Sequence, residues 1–133
     1  MTLAEIKNQV MFQTNNDAED LGDYEPHIND YVNEGYDRLV SAWDKSHISQ
    51  GKYDRLEMDM DEPILPEWTH RALVDYATWL IYRNGNPQKQ QRGMTYLNNF
   101  QQIISTILGE GGSAGLNEDG TQVKYNKFRN IPD

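Results

Sequence analysis

The chain contains no cysteine, and this absence removes several kinds of chemistry at once. Without thiols there is no disulfide cross-link, no thiolate ligand for a metal and no cysteine nucleophile. At 133 residues the length favours one domain. Stability must therefore come from packing within that domain or from partners.

Positive charge is also scarce, because 12 Lys and Arg stand against 21 Asp and Glu. Nucleic-acid phosphates and anionic membranes both attract clustered cations, so this balance argues against coating either one. The charge is unevenly spread. Residues 1–62 contain 15 acidic and 5 basic side chains, residues 63–108 contain 2 and 4, and residues 109–133 contain 4 and 3. The acidity thus belongs to the first half.

Long apolar runs are missing as well. The most apolar stretch, from Ala72 to Tyr82, is about half the length that a membrane-spanning helix needs. The N-terminus has no basic patch followed by an apolar run, so we expect no signal peptide and no membrane segment. Hydrophobic residues are only 37% while aromatic residues reach 11%. This combination predicts a modest core with aromatic side chains available for partners, and not a disordered chain.

Motifs of catalysis and metal binding are not found. The sequence lacks a phosphate-binding loop, a dinucleotide fingerprint, a nucleophile elbow and a zinc-protease motif.

His27, His47 and His70 are not spaced as metal ligands on one helix would be, so we expect them on the surface. A calcium loop beginning at Asp17 fails because its fifth position is Leu21. This loop and the acidic run 57–62 are predicted to be solvated, and we expect no cofactor and no metal.

Apolar periodicity predicts an all-α fold, a small bundle of about four helices with a long C-terminal helix and an extended C-terminal tail. The first helix is predicted from Leu3 to Phe12, with Thr2 and Glu5 as a capping box. The second runs from Pro26, a residue that suits a first turn, to about Lys45. These two elements are joined by an acidic loop.

The third helix is predicted to follow Leu65-Pro66 and to end at Asn84-Gly85, where the glycine would adopt a left-handed conformation. It is apolar over most of its circumference and should be the central, most buried helix. The fourth runs from Pro87 to Leu108, capped by Asn86. Because the connection is so short, helices three and four should form an antiparallel pair.

Two stretches leave alternatives open. Within residues 46–65, the part LEMDMDEP alternates apolar and acidic side chains, which fits a short extended segment, and a loop with a brief helical turn fits the stretch equally well. The aromatic residues of helices two and three are interpreted mainly as core. The alternative is that some of them, Tyr31, Trp43 or Trp68, anchor a subunit interface, where tyrosine and tryptophan are enriched.

The C-terminal part divides into a glycine-rich linker, residues 109–120, and a C-terminal tail, residues 121–133. The predicted domains are accordingly 1–108, a helical domain, and 109–133, the linker and tail. The tail alternates large apolar and basic side chains, typical of a peptide that adds a strand to a partner's sheet. Its predicted partner-binding residues are Val123, Lys124, Tyr125, Lys127, Phe128, Arg129 and Ile131.

Three phrases of the sequence together cover about residues 3 to 108: LAEIKNQV, DYEPHINDYVNEGYDRLVSAW and LPEWTHRALVDYATWLIYRNGNPQKQQRGMTYLNNFQQII. In this order they resemble the head–tail connector, or head-completion adaptor, proteins of tailed bacteriophages. The long linker and the basic, aromatic tail depart from the shared pattern. The resemblance implies a small helical protein that is not an enzyme.

The resemblance further implies a ring of twelve subunits in the virion neck, made in the bacterial host cytoplasm. Such a ring docks on the portal protein, extends the DNA channel and connects to the next neck or tail protein. DNA would pass without sequence-specific binding, and acidic channel walls would prevent it from sticking. The alternative is a monomeric helical module that recruits a partner through its C-terminal peptide. A carboxylate hydrolase ranks last, because no carboxylate pair stands out.

Overall fold

The computed structural model describes residues 1–15, 17, 21–49 and 51–112. Four α-helices follow one another: α1 (Leu3–Thr14), α2 (Ile28–Ser46), α3 (Arg71–Arg83) and α4 (Pro87–Gly112). No strand occurs in this part of the chain, so the predicted all-α bundle of four helices with a long last helix is confirmed. The predicted extended tail lies outside the described residues.

Helix α3 lies at the centre, as its apolar circumference predicted. It packs against α1, α2 and α4, and nearly every side chain from Ala72 to Tyr82 is buried, with Trp79 partly exposed. Its contact with α4 is the most extensive between any two elements, consistent with the predicted antiparallel pair. Because α1 and α4 both pack on α2 and α3 but have little contact with each other, they lie on opposite sides of that pair.

The predicted starts of the first and fourth helices are confirmed. The hydroxyl of Thr2 accepts a hydrogen bond from the amide of Glu5 at 3.2 Å, and the Glu5 carboxylate accepts one from the amide of Thr2 at 2.8 Å. Asn86 caps α4 through its side-chain oxygen, which accepts from the amide of Lys89 at 2.9 Å. Pro26 and Pro66, by contrast, precede the α-helices, because short 3-10 turns at Glu25–His27 and Glu67–Thr69 come first.

The predicted helix ends differ more from the structure than the predicted starts do. Helix α1 continues to Thr14, and α4 continues through the first residues of the predicted linker to Gly112. The prediction of a left-handed Gly85 is wrong, since its φ is not positive. Glycine is needed there for space. A Cβ would lie 2.8 Å from Cβ of Lys89 and 3.2 Å from Cδ2 of Leu21. This close approach seats the loop before α2 against the start of α4.

Candidate interaction surfaces

The segment after α2, residues 52–57, is held against α2 by a buried asparagine. Asn33 donates from Nδ2 to the carbonyl of Leu56 at 2.9 Å, and its Oδ1 accepts from the amide of Leu56 at 2.8 Å. Asn29 donates to the same carbonyl at 3.1 Å. The side-chain amide thereby satisfies both backbone groups of Leu56, which is itself buried. Of the two predicted alternatives, the loop with a brief turn is the nearer one, because the described residues 51–65 contain no strand and the amide of Asp61 donates to the carbonyl of Met58 at 2.9 Å.

Surface contacts strengthen this attachment. The hydroxyl of Tyr53 donates to Asp37 at 2.7 Å, and its ring meets Tyr36 edge-on. Burial and the neighbouring carboxylate raise the pKa of Tyr53 to about 12. Arg55 forms a salt bridge with Asp30 on the exposed side of α2. The segment leading to residue 57 is therefore fixed at several points.

Residues 57–62, here called the acidic turn, are fixed in a defined conformation by their own carboxylate. Asp61 accepts hydrogen bonds from the amides of Glu57 at 2.9 Å and Met58 at 2.8 Å, and these bonds lower its pKa. The carbonyls of Asp59 and Asp61 accept from the first amides of α1, at 3.0 and 2.8 Å. The turn thus also completes the N-terminus of α1, where helix donors lack partners.

Two methionines project from the acidic turn into solvent. Met58 is 69% exposed and Met60 is 78% exposed, although both are large and apolar. Exposed carboxylates flank them, namely Glu57, Asp59 and Glu62. The predicted exposure of this run is thus confirmed for every residue except Asp61, which is partly buried. Apolar side chains displayed by an ordered loop are typical of a contact surface, and methionine adapts readily to different partners.

The outer face of α2 continues this negative surface. Asp30, Glu34, Asp37 and Asp44 are all exposed. Of the described carboxylates in residues 1–62, all but Asp17 and Asp61 are exposed. Glu34 accepts a hydrogen bond from the hydroxyl of Tyr76, and burial together with this carboxylate raises the pKa of Tyr76 to about 12. The acidity found in the sequence therefore lies on the protein surface.

A groove lies between α2 and α4, away from α1. Its volume is about 320 Å³, and its floor is apolar. Two cations stand on its α2 side, Arg38 and Lys45. The remaining lining residues are Ser41 and Ala42 from α2, and Phe100, Gln101, Ile104 and Leu108 from α4. A volume of this size is at the lower end for ligand pockets, so it suits one or two side chains of a partner.

Asp17 is the clearest departure from expectation, because it is buried and not solvated. It accepts hydrogen bonds from Arg92 at 2.7 and 2.8 Å and from the hydroxyl of Tyr82 at 2.5 Å, and it forms a salt bridge with Lys89. These donors hold its pKa well below the usual range. The acidic loop before α2 is thereby tied to the α3–α4 hairpin.

A second buried carboxylate lies between α1 and α3. Asp75 is 5% exposed, and burial raises its pKa to about 6. Arg71, with its Nε 3.9 Å away, and Gln13 oppose this shift. Gln13 also accepts a hydrogen bond from Thr78 at 2.8 Å. These groups position α1 on α3, and none lines the groove.

The expectation of three surface histidines is wrong for His70, which is 3% exposed. Its Nε2 lies 2.8 Å from the carbonyl of Leu65, and its Nδ1 lies 2.8 Å from the terminal amine of Met1. His27 is exposed and His47 partly so, the latter stacked on Trp43. Among the described residues, no three His, Asp or Glu side chains are grouped to hold a metal ion.

The proposed aromatic anchors separate into different environments. Trp43 is buried at 9% exposure, so for this residue the core interpretation is confirmed. Tyr31 is partly buried, and its hydroxyl accepts a 3.3 Å hydrogen bond from Asn84. Trp68, at 42% exposure, is the most open of the three. Within the described part of the chain, none of the helices is both long and apolar enough to cross a bilayer.

The predicted partner-binding residues Val123, Lys124, Tyr125, Lys127, Phe128, Arg129 and Ile131 lie outside the described residues, so their role stays a prediction. Sequence reasoning did not identify the groove. Part of its signal is present in the sequence, since Ile104 and Leu108 are apolar and four residues apart, a spacing that places them on one face of α4. The spacing of Arg38 and Lys45, two turns apart on α2, carried no distinctive pattern.

Comparison with known proteins identifies no relative of this chain. No family model matches the chain, and neither a curated protein nor a solved structure is significantly similar to it.

Proposed function

We propose that this protein is a structural subunit of a tailed-bacteriophage virion, a head–tail adaptor in the neck. Copies form a ring on the portal protein, extend the DNA channel and dock the next neck or tail protein. The proposal begins from the resemblance of three helical phrases and is supported by the surface of the folded chain. The observation that carries it is the exposure of the carboxylates on α2 and the acidic turn.

This distribution suits a protein near moving DNA. Binding to duplex DNA depends on cations that neutralise phosphates, and each such contact slows passage. The exposed carboxylates of α2 and the acidic turn repel phosphate instead. Met58 and Met60 supply apolar contact area at one end of the same surface. Proteins then bind at the turn, while DNA does not adhere.

The test combines the full-length protein with the portal protein encoded in the same genome. Negative-stain microscopy of the mixture is expected to show an added ring on the portal, and the two proteins should migrate together on size exclusion. A duplex DNA fragment should not bind the protein alone at physiological salt. Portal particles without added density, together with separate migration, would contradict the assignment.

The second candidate is a monomeric module that recruits a partner through its C-terminal peptide. It is favoured by one observation: α1 to α4 bury a continuous core of described residues that includes nothing beyond Ile107. A self-contained domain followed by a tethered peptide has this organisation. If the tail alone, fused to an unrelated carrier, captured the portal as well as the full chain does, this second candidate would replace the ring subunit.

A further inference from the structure

We propose that the α2–α4 groove of one copy receives the acidic turn of a second copy. This inference deepens the ring proposal above and rests on it, because it names the surfaces through which neighbouring subunits meet. The contact joins two different surfaces, so it is head-to-tail. Contacts of that kind close into rings when the rotation between neighbours permits.

The charged side chains that line the groove are opposite in sign to those of the acidic turn. The groove presents Arg38 and Lys45 on its α2 side. No carboxylate of the described residues lies within 4.0 Å of the Lys45 amine, and Arg38 has only a 4.0 Å contact with Glu34. The acidic turn presents Glu57, Asp59 and Glu62. Pairing of opposite charges around an apolar contact steers association and fixes its register.

The surfaces are also complementary in shape and polarity. The groove floor is formed by Phe100, Ile104 and Leu108, with Leu108 40% exposed. Met58 and Met60 are unbranched apolar side chains that reach outward from the turn. Methionine side chains adapt their shape to such a groove and would gain apolar burial there. The space of about 320 Å³ is suited to these two side chains.

The turn is already ordered, so little conformational freedom is lost when it docks. The Asp61 carboxylate accepts hydrogen bonds from the amides of residues 57 and 58, and two carbonyls of the turn accept hydrogen bonds from the first amides of α1. Preorganisation of this kind improves affinity because the ordering cost is met during folding.

The turn cannot reach the groove of its own chain. It is bonded to the N-terminus of α1, and α1 lies on the side of the α2–α3 pair opposite α4. The groove lies between α2 and α4. Occupation therefore requires a second molecule.

Because the chain contains no cysteine, introduced cysteines report this contact without background. One full-length variant carries Met60→Cys and the other carries Ser41→Cys, and they are mixed under mild oxidation, alone and with the portal. The matched control replaces Ser41→Cys with Gln102→Cys, which is exposed on α4 but outside the groove. The cross-linked dimer should form at least about tenfold faster with Ser41→Cys than with Gln102→Cys. When the turn occupies the groove, the two introduced thiols are held at a high effective concentration.

Charge reversal provides the second measurement. Adding Lys45→Glu to the Ser41→Cys variant should reduce cross-linking about tenfold, since like charges then face each other. Adding Asp59→Lys to the Met60→Cys variant should restore it. Equal rates for Ser41→Cys and Gln102→Cys, both alone and on the portal, would overturn the proposal. A Ser41→Cys/Tyr125→Cys chain that cross-links within itself, while the Met60→Cys pair does not, would assign the groove to the tail instead.

The outcomes separate this inference from the proposed function. Rings on the portal without cross-linking through the groove refute the contact and leave the adaptor function standing. Selective cross-linking without any association with the portal supports the contact and refutes the adaptor function.

Discussion

The carboxylate of Asp17 accepts two hydrogen bonds, of 2.7 and 2.8 Å, from one nitrogen of Arg92, which lies 75 residues further along the chain. Through this pair the loop between α1 and α2 is fastened to α4. Tyr82 and Lys89 contribute from α3 and α4, so three elements meet at one carboxylate. Asp17, which was predicted to be solvated, is thus part of the tertiary structure.

Replacing Asp17 by Ala should lower the free energy of unfolding by about 2–4 kcal/mol, because it removes one partner of a buried charge network. Urea unfolding at neutral pH measures the change. The control is Asp23→Ala, an exposed carboxylate of the same loop, which should change stability by less than about 0.5 kcal/mol. Equal effects of the two substitutions would show that the network contributes nothing to stability.

Asp75 should make stability depend on pH between about 4 and 6. Its pKa in the folded protein is about 6 against a reference value of 3.8, so the folded state holds this proton more tightly than the unfolded state. The stabilisation is complete below about pH 4 and is lost as the pH rises through 6. The bonds to Asp17 act in the opposite sense, and their contribution falls only below about pH 4.

Asp75→Asn should therefore raise the free energy of unfolding at pH 7.5 by about 1–2 kcal/mol and flatten its pH dependence between 4 and 6. Urea unfolding across this range provides the measurement. Asp44→Asn, at an exposed position of α2, serves as the control and should leave the pH profile unchanged. A profile for Asp75→Asn that parallels the parent would refute the assignment.

Asn33→Ala should release the segment that leads to the acidic turn. The amide of Leu56 would lose its side-chain partner inside the protein, and its carbonyl would keep only the bond from Asn29, at a cost of about 2 kcal/mol. Hydrogen exchange at the Leu56 amide should accelerate more than global destabilisation explains. The control Asn98→Ala changes an exposed residue of α4 and should alter neither quantity. Unchanged protection at Leu56 would contradict the anchoring role.

Gly93→Ala should destabilise the α3–α4 hairpin. A Cβ at this position would lie 2.6 Å from Cβ of Tyr82, so the helices must move apart. We expect a loss of about 1–3 kcal/mol from overpacking, despite the better helix propensity of alanine. Gly109→Ala in the same helix meets no described atom within 4 Å and should be neutral or stabilising by up to about 1 kcal/mol. Thermal unfolding distinguishes the two, and a stabilised Gly93→Ala would refute this packing.

Truncation after Gly112, where α4 ends, should leave folding intact and weaken assembly. Among the described residues the buried core ends with Ile107, so the free energy of unfolding should change by less than about 0.5 kcal/mol. Co-migration with the portal should decrease, since the predicted partner-binding residues are removed. A chain with alanine at Val123, Tyr125, Phe128 and Ile131 is the control of equal length, and it should behave like the truncation. Unfolding of the truncated chain would assign the tail to the core.

Local sequence patterns predicted the helices well, because each pattern spans only a few residues. The capping box of Thr2 and Glu5 and the cap at Asn86 depend on neighbours three positions apart. The central position of α3 followed from its apolar circumference, which leaves no face for solvent. The conformation of Gly85 was predicted wrongly, because a helix-ending glycine has the same local pattern whether it supplies a left-handed turn or space for a neighbour.

The sequence by itself determined the four helices, the burial of α3 and the excess of carboxylates in the first half. Only the tertiary structure decided that Asp17 is buried, that Asn33 pairs with Leu56 and that Arg38 and Lys45 border an apolar groove. Asp17 and Asn33 act through partners brought together over 75 and 23 residues of chain. Charge counts record how many carboxylates are present. Folding decides which face solvent and which are satisfied inside, because burial and hydrogen bonding depend on those distant partners.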